Sequence, residues 1–179
     1  MKPYLALGIG FLWVAAAAAD EKSLPACHIE RSAPVTFSSP SNPDTLLVSV
    51  NGDPCYKGVA VISITSKGGE VVYRHVQPFK QLTATQWDDS ALDKDAEAFV
   101  NYTITKGMQG LSSALPVWTD PKEFYEANYT SVKVSRERYE EIRKLRLPVF
   151  YHQTYYEGGR HLVYDQAQKK TIVIMEGGL

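Results

Sequence analysis

Val149-Phe150-Tyr151-His152-Gln153-Thr154-Tyr155-Tyr156 is followed by Glu157-Gly158-Gly159 and then by Arg160-His161-Leu162-Val163-Tyr164. Aromatic and β-branched residues favour extended chain, and the glycine pair reads as a turn, so the stretch predicts a hairpin. A polar turn at Asp165 to Lys170 and a further apolar run at Thr171 to Met175 extend it to a three-stranded antiparallel meander. Period-two alternation puts Tyr151, Gln153 and Tyr155 on one face of the first strand and Phe150, His152, Thr154 and Tyr156 on the other. On the returning strand Arg160, Leu162 and Tyr164 alternate with His161, Val163 and Asp165. The hairpin register decides which of these sets coincide, because a slip of one residue exchanges the faces of a strand.

Upstream of the meander, Ser135 caps a predicted helix from Arg136 to about Leu145, with Val134 placed to staple onto Tyr139. Tyr139, Ile142 and Leu145 form its narrow apolar stripe, and Pro148 ends the run. Asp120-Pro121-x-Glu123 starts a shorter helix that closes near Asn128. Ser90-Ala91-Leu92-Asp93 has the form of a capping box, followed at helical spacing by Ala96, Phe99 and Val100 and stopped by Gly107. Gly107 to Val117 has no periodicity and reads as a long loop.

The N-terminal half predicts strands at Thr45 to Val50, Gly58 to Thr65 and Glu70 to Val76, with Asn51-Gly52-Asp53-Pro54 and Lys67-Gly68-Gly69 as turns. Both faces of Gly58 to Thr65 are largely apolar, which predicts a central strand covered on both sides. Pro25 to Pro54 reads otherwise as an ordered arm with few hydrogen-bonded elements. Five or six strands and two or three helices make the class α+β: an antiparallel β-sheet with a C-terminal meander packed against two or three helices.

Met1 to Ala19 is an apolar run behind one lysine, closing on Ala17-x-Ala19 before Asp20-Glu21-Lys22. It reads as a signal peptide over residues 1–19, leaving one exported globular domain over 20–179 that is secreted or periplasmic and carries no stable transmembrane anchor after processing. Leu24-Pro25-Ala26-Cys27 resembles a lipidation site only superficially, since charged residues separate Cys27 from the apolar run. In an exported chain two cysteines default to one bridge, Cys27 to Cys55, against the alternative of two buried thiols. Closing a loop of about 28 residues is worth roughly 3 kcal/mol. The net charge of -1 is spread without a basic stripe, which argues against nucleic acid as a partner.

No metal-ligand spacing, P-loop, dinucleotide fingerprint or G-x-S-x-G elbow is present, so no cofactor and no metal are expected and no catalytic residue is written locally. The functional reading is an exported non-catalytic binding or inhibitory module recognising an extracytoplasmic protein or polymer, with Tyr151, Tyr155, Arg160 and Tyr164 as its anchors. The alternatives are an extracytoplasmic polymer hydrolase and a structural envelope accessory protein. A hydrolase would need His75, Asp88, Asp89, His152 and His161 to converge from distant segments. The plain structural reading of the same tyrosines is ordinary cross-strand packing.

Overall fold

The alternation of the N-terminal half builds a four-stranded antiparallel sheet in the computed structural model, which describes residues 27–83 and 92–178. Its strands β1 (Cys27–Val35), β2 (Asp44–Gly52), β3 (Val59–Thr65) and β4 (Val71–Pro78) follow in sequence order. Leu46 pairs with Ile64, Val48 with Ile62 and Val50 with Ala60, and all six side chains are buried on one face. Val59, Val61 and Ser63 point the other way and are exposed or half-buried. β3 is therefore central in its sheet but covered on one face only, a correction to the expectation of two.

β1 corrects a second expectation, since it pairs with β2 along its whole length where few hydrogen-bonded elements were expected. Exposed Glu30, Arg31 and Pro34 hide the strand pattern. An edge position tolerates them, because Pro34 needs to donate no ladder hydrogen bond there. The expected Cys27–Cys55 disulfide is present and ties the start of β1 to a single 3₁₀ turn, Cys55–Lys57, that follows β2.

The second half contributes α1 (Leu92–Lys106), β5 (Met108–Leu111), α2 (Pro121–Asn128), β6 (Thr130–Val132), α3 (Arg136–Leu145), β7 (Pro148–Tyr155), β8 (Gly158–Asp165) and β9 (Lys170–Gly178). The C-terminal meander forms the middle of a five-stranded sheet, in the order β5-β7-β8-β9-β6. The caps are those expected: Asp120 Oδ1 accepts from the Lys122 amide at 2.9 Å, and Ser135 Oγ from the Arg138 amide at 3.3 Å. Val134 packs into the cluster that contains Tyr139. The expected cap at Ser90 lies outside the described residues.

Among the described residues there are nine strands, more than the five or six expected. β5 and a 3₁₀ turn at Ser112–Ala114 occupy the stretch expected to be a long loop. β5 and β6 are too short to show periodicity and exist because β7 and β9 offer them edges. The hairpin turn falls on Tyr156 and Glu157, while Gly158 and Gly159 lie inside β8. Glycine is required at 159 for space, because a Cβ there would strike the His152 carbonyl oxygen and the Tyr151 ring.

Two cores result. Phe150, Leu162 and Tyr164 face the first sheet and join its buried side chains and Ala96, Phe99 and Val100 of α1. Val149, Val163, Ile174 and Met175 point the opposite way, against Phe124 of α2 and Tyr139 and Ile142 of α3. Leu145, expected in the α3 stripe, is exposed. The architecture is a mixed α+β fold in which helices pack on antiparallel sheets, and no helix among the described residues is long and apolar enough to cross a membrane.

Candidate functional site

The β7–β8 register settles the faces that sequence left open. Tyr151 stands opposite His161, and His152 opposite Arg160. Directly opposed residues share a face, so Arg160 lies with His152 and Tyr151 lies on the other side. Tyr164 is core, its ring edge-on to Phe37 at 6.3 Å. Tyr155 is exposed at the hairpin end, and a bulge after Gln153 sets it opposite Gly158, away from the face of Tyr151, a correction to the expected alternation. The four anchors therefore do not form one continuous face, because the pleat sends Tyr151 and Arg160 to opposite sides and the core takes Tyr164.

The hydrolase set is partly assembled. His75 of β4 and His152 of β7 meet where the two sheets pack, with ring centroids 4.8 Å apart. His161 lies on the opposite face of the second sheet, and Asp88 and Asp89 lie outside the described residues. His152 Nδ1 faces the Gln153 carbonyl at 2.8 Å and must donate to it, so Nε2 accepts from the Tyr73 hydroxyl at 2.5 Å. His75 Nε2 donates to Gln77 Oε1 at 2.7 Å. Arg160 Nε donates to Glu176 Oε1 at 2.5 Å, and Lys133 pairs with the other oxygen of that carboxylate at 3.5 Å.

Burial governs the protonation of this network. It pushes His152 down to about 4, against a weaker opposing pull from the Gln153 carbonyl. It pushes the Tyr73 phenol up to about 12, against the Arg160 guanidinium beside it. Burial also disfavours the charged form of Glu176, but Arg160 and Lys133 outweigh it and hold the carboxyl below its ordinary value. A base that binds protons so weakly, paired with a phenol that holds its own so tightly, is poorly matched to proton transfer near neutral pH. Among the described residues no three histidine, cysteine or acidic side chains gather closely enough to hold a metal ion.

The other face of the second sheet carries a groove. One cavity of about 240 Å³ is lined by Leu115, Pro116, Asn128, Val149 and Met175, together with Gln109, Thr130 and His161. A second, of about 310 Å³, is lined by Tyr102, Tyr151, Glu157 and Gly177, and again by Gln109, Thr130 and His161. The shared residues place the two cavities side by side. Gln109 belongs to β5 and Thr130 to β6, the opposite edges of the sheet, so the sheet curls into a trough with His161 on its floor. The Tyr151 and His161 rings lie 4.9 Å apart, and burial pushes His161 down to about 4, leaving it neutral at pH 7. Thr130 Oγ1 and His161 Nδ1 are buried and find no hydrogen-bond partner among the described residues.

Tyr102 also borders a third cavity of about 420 Å³, with Phe99, Gln153 and Tyr156. Exposed Tyr155 packs its ring over Gly158, and the Tyr129 carbonyl accepts from the Gly178 amide, so both tyrosines rim the same end of the sheet. Of the groove residues, the sequence alone singles out Tyr151 and His161 for a site. Gln109 and Thr130 sit on strands too short to be read, and Tyr102 stands out only in the formal glycosylation acceptor Asn101-Tyr102-Thr103. Comparison with protein-family models, with curated proteins and with solved structures finds no match to this chain.

Proposed function

We propose that this chain is an exported, non-catalytic binding module that holds its ligand in the tyrosine-rimmed groove on the helix-side face of the second sheet. The observation that carries the reading is that the two cavities adjoin along Gln109, Thr130 and His161. A cavity of about 310 Å³ sits at the lower end of the range for small-ligand sites, and a neighbouring cavity of about 240 Å³ adjoins it. Tyrosine supplies rigid contact area with a polar tip at small cost in conformational entropy, which suits a rim.

A hydrolase is the second reading, favoured by the contact of Tyr73, His75 and His152. Against it stand the 1 % exposure of His152 and the mismatch of proton affinities in the pair. These features fit a polar network that holds the two sheets in register. Export rests on the apolar run before Asp20, and the intact mass of secreted or periplasmic material, beginning at Asp20, checks it.

The groove is tested with Tyr102→Ala and Gln109→Ala, both at exposed positions where truncation leaves the melting temperature in place. Immobilised wild type and double variant are exposed to the native extracytoplasmic fraction, and retained material is compared. Retention lost only by the double variant supports the groove. Equal retention by both removes it, and turnover of the retained ligand that disappears in His152→Asn would establish the enzyme instead.

A further inference from the structure

The lining of the groove narrows the chemistry of what it holds. Among the described residues no lysine or arginine lines either of its two cavities, and Glu157 is the one carboxylate. His161 is neutral, so nothing there compensates an anionic ligand. Phosphate, sulfate and nucleic-acid ligands are disfavoured on charge alone. The walls instead carry the Gln109 and Asn128 amides, with Glu157 as acceptor. Each amide nitrogen gives one hydrogen to a backbone carbonyl, of Lys106 and Phe124, and keeps its second hydrogen and its carbonyl oxygen for a ligand. Between them stand aromatic rings, Tyr151 lying across Gly159 beside His161, and Tyr102 at the rim.

Flat apolar faces flanked by paired donors and acceptors suit a molecule with two kinds of surface. Its rings must offer C–H faces for stacking, and its edges must carry hydroxyls that both give and take hydrogen bonds. A pyranose has both. The pockets also adjoin in turn: the first two cavities share three residues, and the third meets the second at Tyr102. A string of adjoining pockets accommodates successive units of a chain better than one compact molecule.

We infer that the ligand is a neutral oligosaccharide, whose units lie along the trough from Asn128 past His161 and Tyr151 to Tyr102. This inference rests on the groove being the binding site. Buried Thr130 Oγ1 and His161 Nδ1 are the groups that a small shift of the trough walls would offer to sugar hydroxyls. The recognition elements are uncharged, apart from Glu157 and, in the third cavity, Asp95, so the affinity of a neutral ligand depends little on salt.

The test is titration of the folded protein with neutral gluco-, xylo- and N-acetylglucosamine oligosaccharides of two to six units, at millimolar concentration, followed by amide chemical shifts. A basic peptide and an acidic peptide serve as comparison probes. The expected result is saccharide binding that strengthens with chain length, moves the amides of Gln109, Thr130, Tyr151 and His161, and weakens by about threefold or more in Tyr102→Ala, which removes the ring between the second and third cavities. Tyr151→Phe, which keeps the ring, retains the length dependence. If a peptide moves the same amides and no saccharide does, the saccharide inference is overturned while the groove survives. Saccharide binding that shifts other amides and ignores Tyr102→Ala overturns the placement, and with it the groove. Absence of any saccharide-induced change overturns the inference.

Discussion

Acidification should begin to weaken this fold through His152 at pH values above those at which carboxylates are neutralised. The imidazole is buried between the sheets and lowered from 6.5 to about 4, mainly by burial. Well above pH 6.5 neither the folded nor the unfolded chain carries a proton there, and the group has no effect on stability. Between pH 6.5 and about 4 the unfolded chain takes up a proton that the folded chain refuses, so stability falls as pH falls. Below about 4 both states are protonated and the loss levels off. One pH unit of such a window corresponds to about 1.4 kcal/mol, so the loss from His152 across it is about 3 kcal/mol. That is a large share of the roughly 5–15 kcal/mol typical of a folded domain. Tyr73, His75, Arg160 and Glu176 face the group, and Glu176 acts in a lower window: its lowered value adds stability above 4.5 that disappears as pH falls below it. The assay is urea unfolding at half-unit steps from pH 7.5 to 4 for wild type and His152→Phe. Phenylalanine keeps the ring but strands the Tyr73 hydroxyl and the Gln153 carbonyl, costing about 1–3 kcal/mol at pH 7.5. Its acid slope should be shallower, so that the two curves converge by pH 4. Parallel curves throughout, or a His152 proton titrating near 6.5 by NMR, would refute the reasoning. His161, lowered likewise by burial, contributes equally to both proteins and cancels in the difference.

Replacing Cys27 and Cys55 together by serine should cost roughly 3 kcal/mol in urea unfolding, the value for closing a loop of 28 residues. Ser112→Ala should cost about 1–3 kcal/mol, because the fully buried hydroxyl donates to the Ile142 carbonyl at 2.6 Å and accepts from the Leu147 amide at 2.8 Å, tying α3 to the strand that follows. Tyr164→Ala should lower stability by about 3–5 kcal/mol, as for other core aromatics, and the melting temperature reads it directly. Tyr102→Ala, at the exposed rim, should leave that temperature within error and change ligand retention alone.

Elements with long, regular patterns are legible from the residues. The α3 stripe, its Ser135 cap and Val134 staple, the Asp120-Pro121 helix start and the three strands of the meander all follow from local chemistry, where side-chain period and capping groups suffice. Short elements are not. β5 and β6 are four and three residues long and owe their extension to partners far away in sequence. β1 presents exposed charges because an edge strand of this sheet needs apolar contact at few positions.

Sequence by itself determined the α+β class, the Cys27–Cys55 bridge and, short of the bulge that turns Tyr155 away from Tyr151, which side chains of the hairpin strands travel together, since these depend on period, turn chemistry and cysteine number. It also brought His75 and His152 under suspicion without being able to say that they touch. The faces themselves were decided only by tertiary structure. The hairpin turn lies at Tyr156–Glu157, and the register it accompanies sends Tyr151 and His161 to the helix side and Arg160, His152 and Tyr164 to the inter-sheet side. One residue of slip would exchange them, and no feature of a single strand specifies that choice. The trough was invisible for the same reason: Gln109 and Thr130 enter one groove only because a five-stranded sheet curls its two edges toward each other.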